Sequence, residues 1–365
     1  MTQILACQRG QVAQTKEICQ KESLRTGSMD MTTIRDVARL AGVSISTVSL
    51  ALNSPKRVGA ETLDRIQQAI KSTGYRIDPV AQTLARGRSS LVGFVSANLG
   101  NMFFGDIRRE IEHQALDHGY FVLIADSSGR ADLERALLER MEAQKIAGIA
   151  LATNGHGEEY AAFLRDFKTP IVMFDQKVEG AERDFVGSDN PLTTTILTEH
   201  LLQLGHRRIA FISGPSGLHT ADERLKGFID TMAAAGVDVD PSLVTEGGYT
   251  RTGGHTQAMR LLTLRDRPTA IIGANNMMGL ATLQVMQEMG FRCPEDVSLA
   301  MVDDVPWSNV ITPRITMVVQ DAQKLGELAA QRLLARISSP EAAAEPPRDF
   351  ILTPRFVRGE STKRL

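Results

Sequence analysis

Residues 33–53 read TIRDVARLAGVSISTVSLALN, a stretch that predicts two short helices joined by a tight turn. Thr33 and Asp36 resemble a capping box, in which a hydroxyl and an acid three residues apart satisfy the free N–H groups at the start of a helix. Gly42 offers the positive φ that a tight turn between helices needs. The apolar residues expected on the inner face of the first helix are Ile34, Val37, Ala38 and Leu40.

Two further helices are expected after this turn. Ser44 is a candidate cap for a helix from residue 45 to about residue 52, which the sequence Asn-Ser-Pro at 53–55 ends. A third helix is expected from about residue 60 to residue 72, with Gly74 after it. Its apolar residues Leu63, Ile66 and Ile70 follow helical spacing. Three short helices with a glycine turn between the first two predict a helix-turn-helix head over residues 31–77.

The segments on either side of the head carry weaker patterns. Residues 1–30 show no sustained period and are predicted to be a disordered extension. Residues 78–90 are a candidate hinge, because Pro79 suits the first position of a helix and Gly87 follows within about two turns. A helix of this length is too short to be stable alone.

From residue 91 onward, apolar strands alternate with amphipathic helices. Nearly all-apolar strands joined by crossover helices indicate parallel sheets covered on both faces, and the length of this region favours two lobes. The predicted fold class is therefore α/β, with an all-α helix-turn-helix head followed by a two-lobed body that contains two parallel doubly wound sheets. The expected strands are Leu91–Val95, Tyr120–Ala125, Ala147–Leu151, Pro170–Phe174, Arg208–Ser213, Thr269–Gly273 and Val297–Val302, and the expected helices include Gly105–His118 and Pro191–Leu204.

Composition excludes several classes of protein. Hydrophobic residues make up 42% and charged residues 23%, which is a globular composition. No apolar run approaches the ~18–20 residues that span a bilayer, and the N-terminus has no secretory signal pattern. The three cysteines are scattered and lack metal-ligand spacing. A cytoplasmic protein without metal or cofactor is expected.

Charge is distributed unevenly along the chain. Residues 31–90 contain nine lysines and arginines against four acids, a net charge of +5, and residues 1–30 add +1. Since the whole chain carries −2, residues 91–365 carry −8. A basic head on an acidic body is typical of a polyanion-binding module joined to a second function.

Several stretches together resemble the LacI/GalR family of bacterial repressors. The motif at 33–53 is followed by Gly74-Tyr75, by PVAQTLA at 79–85 and by Leu91-Val92-Gly93. Further motifs follow in family order: Asp189-Asn190, EHLLQLGHRRIA at 199–210, Gly214-Pro215, ERLKGF at 223–228, GANN at 273–276, VDD at 302–304 and FILTPR at 350–355. The resemblance extends from about residue 31 to residue 362.

This resemblance implies a sequence-specific transcription repressor that binds operator double-stranded DNA as a homodimer or higher oligomer. A small-molecule effector, namely a sugar, polyol or sugar acid, would control the affinity for the operator. The body, residues 91–362, would be periplasmic-binding-protein-like, with the effector between its lobes. One lobe would cover about residues 91–188 and 318–346, and the other about 189–316 and 348–362.

The resemblance also assigns candidate DNA contacts. The family lays its second helix in the major groove, where Ile45 and Ser46 would select the sequence and Thr47 and Ser49 would meet phosphates. Ordinary helix-surface polarity is the alternative for those two hydroxyls. Leu50 departs from the family's frequent Arg, so the operator sequence cannot be carried over. The complete set of DNA-binding candidates is Thr33, Ser44, Ile45, Ser46, Thr47, Ser49, Leu50, Asn53, Ala81 and Leu84.

In the hinge, Leu84 occupies the position whose leucine wedges into the minor groove in this family. Ala81 is small enough to let two hinge helices approach each other there. Wedging costs a few kcal/mol of unstacking, which the contacts permitted by the kink repay. Packing of Leu84 on the body is the alternative.

Effector candidates follow strand ends, because ligands in such folds lie beyond the carboxyl ends of strands. Carboxylates, an amide and an arginine pair with adjacent hydroxyls, and aromatic faces stack on a ring. Phe104 suits the core as well as a ligand contact. The effector candidates are Phe103, Phe104, Asp175, Arg224, Asn275, Asp303 and Trp307.

Two other classes of protein share some of these features. A sugar-binding protein without a gene-regulatory role would have the two-lobed body but not the basic head. An enzyme would carry a recognisable motif, and the sequence contains no GxSxG elbow, P-loop, HExxH or glycine-rich dinucleotide turn. Asp303 and Asp304 are no acid pair, since neighbours on one strand point to opposite faces. The chain is not expected to be an enzyme.

Overall fold

The computed structural model describes residues 32–53, 55–75 and 88–365. The chain divides between Ala85 and Arg86 into two compact units, a head and a body. The predicted extension at 1–30 lies outside the described residues, and so does the predicted hinge up to residue 87.

The head is helical, as predicted, with α1 (Ile34–Ala41), α2 (Ile45–Asn53) and α3 (Ala60–Thr73). At the start of α1, the backbone N–H of Thr33 donates to Asp36 Oδ2 at 3.0 Å. Gly42 ends α1 with a φ of +67° and Gly74 ends α3 with a φ of +64°. The two glycines therefore adopt the left-handed conformation that the turns require.

A small apolar core holds the three helices together, with Leu63 and Ile70 partly buried at its rim. The prediction for Leu40 is wrong, because its side chain is 59% exposed. At 3.6 residues per turn, Leu40 points away from the line through the buried Val37 and Ala41. The buried residues of this core are Val37, Ala38, Ala41, Val48, Ala51, Ile66 and Ala69.

The body alternates strands and helices almost throughout. Its elements are β1 (Leu91–Ser96), α4 (Met102–Asp117), β2 (Phe121–Asp126), α5 (Ala131–Ala143), β3 (Ile149–Leu151), α6 (Gly157–Asp166), β4 (Ile171–Phe174), β5 (Asp184–Ser188), α7 (Asn190–Gln203), β6 (Ile209–Ser213), α8 (His219–Ala234), β7 (Val244–Glu246), α9 (Arg251–Leu262), β8 (Ala270–Gly273), α10 (Asn276–Glu288), β9 (Ser298–Val302), β10 (Thr316–Val319), α11 (Ala322–Ser338), α12 (Pro340–Ala344), β11 (Asp349–Leu352) and β12 (Arg355–Val357).

These strands form two six-stranded sheets, each with apolar side chains packed on both faces. The first sheet has the order β11-β5-β4-β3-β1-β2 and is parallel throughout. The second has the order β12-β10-β9-β8-β6-β7, and β12 pairs antiparallel with β10. The second sheet thus differs from the predicted all-parallel arrangement by one edge strand. The strand order reverses between β1 and β3 and between β6 and β8, which are the switch points where such folds bind ligands.

Each sheet with its helices is one lobe, and the predicted lobe boundaries need two corrections. Residues 316–319 form β10 of the second sheet, although 318–346 was expected in the first lobe. Residues 349–352 form β11 of the first sheet, although 348–362 was expected in the second. The packing explains both, since Val318 lies in the second-lobe core and Phe350 packs against the first-lobe core.

The C-terminal residues are hydrogen-bonded into the second lobe. Ser361 Oγ donates to the carbonyl of Leu299 at 2.6 Å. The fully buried His206 lies between two partners, with Nδ1 2.9 Å from Thr269 Oγ1 and Nε2 3.1 Å from the carbonyl of Lys363. Burial lowers the pKa of His206; the hydrogen bond with the Lys363 carbonyl opposes this, and the charges of Lys363 and His200 lower the pKa further. His206 is therefore neutral in the folded body at neutral pH.

We expect the thermal midpoint of the body to fall as the pH drops from 7.5 to 5.5, in part through His206. Because the folded pKa lies below the unfolded value of about 6.5, the unfolded chain binds more protons in this range, so acid favours unfolding. His206→Gln should flatten the dependence of the midpoint on pH, measured by scanning calorimetry. His113→Gln is the control, and equal pH dependence in wild type and His206→Gln would contradict the assignment.

Candidate functional site

Helix α2 exposes both polar and apolar side chains to solvent. Ile45 is 44% and Leu50 39% exposed, whereas Val48 is fully buried against the head's core. Ser44 caps the helix, since its Oγ accepts from the backbone N–H of Thr47 at 3.1 Å. The candidates Thr33, Ser44 and Ser46 are exposed as well, and Thr47 and Ser49 are partly exposed. The remaining candidates, Ala81, Leu84 and the side chain of Asn53, lie outside the described residues.

In the body, two acidic candidates lie at the carboxyl ends of strands in opposite lobes. Asp175 follows β4 and Asp303 follows β9, with φ values of +60° and +72°. Both side chains are buried, with 7% and 4% exposed. A left-handed backbone is unfavourable for a residue with a Cβ, so the surrounding structure must hold it, as is common at binding sites.

Arg224 of α8 provides the cationic group near both acids. Its side chain is only 3% exposed; Nε donates to Asn190 Oδ1 and Nη1 to the carbonyl of Ala274, each at 2.8 Å. These bonds fix the guanidinium between the start of α7 and the end of β8. These hydrogen bonds and the nearby charges of Asp175 and Asp303 offset the cost of burying the guanidinium.

Burial and the neighbouring charges set the protonation of this cluster. Burial raises the pKa of Asp175 to about 7, while Arg224 lowers it and Asp303 raises it again. Burial likewise raises the pKa of Asp303, which Arg224 and a hydrogen bond from Gln320 Nε2 at 2.7 Å oppose. The cluster can therefore both accept and donate hydrogen bonds near neutral pH.

The two lobes meet directly around this cluster. Gln176 of the first lobe donates through Nε2 to Thr220 Oγ1 of the second at 2.6 Å, and the backbone N–H of Thr220 returns a bond at 3.2 Å. Asn276 Nδ2 of the second lobe donates to Asn101 Oδ1 of the first at 3.1 Å. The described conformation is thus a closed one, held by polar groups of the protein.

Four buried polar atoms at this junction have no hydrogen-bond partner among the described residues. They are Ser96 Oγ at the end of β1, Ser188 Oγ at the end of β5, Asn190 Nδ2 and Asn276 Oδ1. Buried polar groups are nearly always paired, and leaving one unpaired costs about 1–3 kcal/mol. Asn190 also bonds Arg224 and Asn276 also bonds Asn101 of the other lobe, so unpaired amide groups lie both at the cluster and at the contact between the lobes.

Two cavities flank the junction. The larger, of about 890 Å³, runs along one face of α4 and includes Phe103 and Asp303 among its lining residues. The smaller, of about 420 Å³, is lined from the first lobe by His156 and Lys177 and from the second by His219 and Glu223. A ligand has room between the lobes, and Asp303 is the member of the cluster that lines the larger cavity.

The other aromatic and amide candidates are placed differently. Phe104 packs between Phe103 and Phe174 in the first-lobe core, with ring centroids 5.4 and 6.2 Å away. Asn275 Oδ1 caps α10 by accepting from Met278 N–H at 3.0 Å. Trp307 is 47% exposed and lines neither of the two cavities, so the structure does not bring it to the cluster.

Sequence reasoning missed Tyr249, Gln176 and Gln320. Tyr249 has a φ of +54° and interacts electrostatically with Arg224, Asp175 and Asp303. It follows the short strand β7 in the glycine-rich stretch TEGGYT, which has no apolar run to reveal a strand end. Gln176 directly follows the predicted Asp175, and this adjacency was the only sequence feature that could have identified Gln176 as a site residue.

Metal and membrane features are not found in the described part of the chain. No group of three or more His, Cys, Asp or Glu side chains there could hold a metal ion. No described helix is both long and apolar enough to cross a bilayer.

Comparison with known proteins gives matches in both units. Residues 33–78 match the model of bacterial regulatory proteins, lacI family, and residues 198–362 match that of a periplasmic binding protein-like domain. The HTH-type transcriptional repressor PurR of Mannheimia succiniciproducens is 29% identical over 336 residues, covering 92% of this chain and 100% of that protein.

Solved structures resemble the chain over most of its length. A lac repressor dimer bound to operator and the anti-inducer ONPF has 25% identity and a TM-score of 0.80, covering 91% of this chain and 99% of that one. A complex of the transcriptional regulator CelR with cellobiose has 27% identity and a TM-score of 0.68, covering 90% and 99%. Head and body thus occur together, in the same order, in proteins of known structure.

Proposed function

We propose that this chain, which matches the lacI-family model at residues 33–78 and a periplasmic binding protein-like domain at residues 198–362, is a transcription repressor controlled by a sugar-like effector. The effector binds between the two lobes and sets the affinity of the head for operator DNA. The observation that carries this proposal is the buried cluster of Arg224, Asp175 and Asp303, whose charges influence one another and whose arginine bonds Asn190, a residue with an unpaired buried amide nitrogen.

A sugar, polyol or sugar derivative fits this set of groups. Its adjacent hydroxyls each donate and accept, as carboxylates, amides and an arginine require. Structures of relatives carry cellobiose in one case and ONPF in another. The residues that we assign to the effector are Asp175, Arg224, Asp303 and Phe103, with Tyr249 added.

The head binds operator DNA through α2. Its exposed residues Ile45, Ser46 and Leu50 are the ones that we assign to base edges, and Thr47 and Ser49 to phosphates. The protein acts as a homodimer on a near-palindromic site; the lac repressor structure that it resembles is a dimer bound to operator. A DNA-binding regulator of a bacterium works where its DNA lies, in the cytoplasm.

The test of this function measures two binding equilibria, that of operator DNA and that of the effector. Operator duplexes are first selected from random DNA, and effectors are found by the rise in thermal midpoint across a panel of sugars, polyols and sugar acids. By linkage, the effector must change operator affinity by the same factor as operator changes effector affinity. Selection of no DNA sequence contradicts the repressor function, and equal effector affinity with and without operator contradicts the control by effector.

Leu84→Ala should weaken binding to the selected operator by more than about tenfold, because the minor-groove wedge and its kink are lost. Leu84→Met is the matched control, since methionine also serves as an apolar wedge. A gel-shift titration measures both variants. Equal operator affinity of Leu84→Ala and wild type would refute the hinge role.

A further inference from the structure

A basic pocket lies at the amino ends of three neighbouring strands in the first lobe. Arg88 precedes β1, Lys145 precedes β3 and Lys168 precedes β4. These strands are adjacent in the sheet order β4-β3-β1, with a spacing of about 4.8 Å between neighbours. The three side chains line one cavity of about 330 Å³ together with Glu142 and Arg336.

The acidic and basic groups of this pocket are unequally engaged. Glu142 already accepts the backbone N–H groups of Lys168 and Thr169, at 2.9 and 3.3 Å. Arg336 is committed to the buried Asp184, with Nε 2.6 Å and Nη2 2.9 Å from its carboxylate. The guanidinium of Arg88 donates to the carbonyl of Ile337.

The two lysines are free by contrast. Lys145 and Lys168 are exposed, and within residues 88–365 neither ammonium group has an ion-pair or hydrogen-bond partner. Most other lysines of the body are engaged: Lys177 pairs with Asp349, Lys324 with Glu327, and Lys363 donates to the carbonyl of Glu295. Two unpaired lysines in one pocket therefore stand out on a body of net charge −8.

This pocket also lies where the head is tethered. The chain enters the first lobe at β1, and only residues 76–87 separate the head's described residues from Arg88. At no more than about 3.5 Å per residue, that tether keeps Arg88 within about 45 Å of Tyr75. The proposed ligand of the head, DNA, is a polyanion with one charge per about 1.7 Å of axis, and the tether sets an upper limit on the separation of the two units.

We propose that Lys145 and Lys168 form a second DNA contact surface, on the body, that binds backbone phosphates beside the site read by the head. This inference rests on the proposed DNA-binding function and extends it beyond the helix-turn-helix head. The contact carries no sequence information; it adds affinity and offsets the repulsion between DNA and an acidic body. Lysines act here as point charges with long flexible stems, which suits contact with a phosphate backbone.

The experiment measures binding to a random-sequence 40-bp duplex by fluorescence anisotropy, from 50 to 200 mM KCl. Each lysine that contacts a phosphate contributes about 0.9 to the slope of log K against log salt. The slope is negative, and the double variant Lys145→Gln/Lys168→Gln should make it less steep. We expect a change of about 1.8 if one protomer makes the contact, and about twice that if both do. Lys226→Gln is the matched control, because Lys226 is also exposed and without a partner among the described residues, but lies in the second lobe.

The possible results of the salt titration lead to different conclusions about the two lysines. An unchanged slope in the double variant overturns the inference, and so does an equal loss of slope in Lys226→Gln, which would reveal only a general charge effect. An unchanged thermal midpoint of the double variant, measured in parallel, excludes misfolding as the cause of a loss. If wild type binds no duplex at any salt concentration, the proposed DNA-binding function itself fails, and the inference fails with it.

Discussion

Arg224→Ala is expected to abolish the effect of the effector on operator affinity while the head still binds operator. Arg224 lies in the body, is 3% exposed, and provides the cation that lowers the pKa of both Asp175 and Asp303. Without it, a ligand loses its arginine partner, and the second lobe loses the bonds from Arg224 to Asn190 and to the carbonyl of Ala274. Closing of the lobes then no longer depends on the ligand.

The same change should cost stability. Leaving a buried hydrogen-bonding group unpaired typically costs about 1–3 kcal/mol. We expect about 3 kcal/mol, because Asn190 Oδ1 and the carbonyl of Ala274 both lose their partner, whereas Asp175 has a pKa of about 7 and takes up a proton readily once the cation is gone. For a body of this size the thermal midpoint falls by roughly 2–4 °C per kcal/mol.

Isothermal titration with the effector found in the ligand panel measures the loss, and a gel shift measures operator binding. Arg314→Ala is the control: its ion pair with Glu360 is exposed, with N and O 3.0 Å apart, so removing it should change stability by less than about 1 kcal/mol. An unchanged effector midpoint in Arg224→Ala would show that the cluster is not the effector site.

The sequence predicted the strands that are long and apolar, and it missed those whose burial depends on partners distant in the chain. β5 begins with Asp184, a charged residue that no apolar pattern includes. The structure buries it because Arg332 and Arg336 of α11 bind its carboxylate, with Nε atoms 2.9 and 2.6 Å away. These pairings join residues 148 and 152 positions apart, so local sequence carries no sign of them.

The candidate site was predictable where a polar residue follows an apolar strand. Asp175 and Asp303 satisfied that rule, and their burial near Arg224 fits it. Asn275 satisfied it too, but its carbonyl oxygen is used as the cap of α10. Gln320 follows a strand as well, but that strand is β10, which is absent from the predicted strands, so the rule could not find this residue.

The second prediction with a large expected effect concerns the edge strand β2. Inner strands of the first sheet are buried on both faces, as parallel strands usually are, whereas Phe121 is 63% and Ile124 38% exposed. Leu116, near the end of α4, is 59% exposed, and α4 packs over the face of β2 to which Val122 and Ile124 point. An apolar edge of this kind marks a docking surface.

A second copy of the chain is the partner that we expect on this surface. A head with one reading helix covers one half-site, so a near-palindromic operator needs two heads related by a two-fold axis, and a two-fold interface uses the same patch on both subunits. The lac repressor that this chain resembles is described as a dimer on its operator. An apolar patch on the first lobe, from which the chain leads to the head, is suited to this pairing.

Ile124→Asp is therefore expected to give monomers at micromolar concentration, since a carboxylate would have to be desolvated in the interface. Linking two heads raises overall affinity by roughly 10²–10⁴, so operator affinity should fall by about a hundredfold or more. Sedimentation velocity measures the mass, and a gel shift measures the affinity. Ile229→Asp, at a site 41% exposed on α8 of the other lobe, is the matched control and should stay dimeric. A dimeric Ile124→Asp protein with wild-type operator affinity would show that the two copies meet elsewhere.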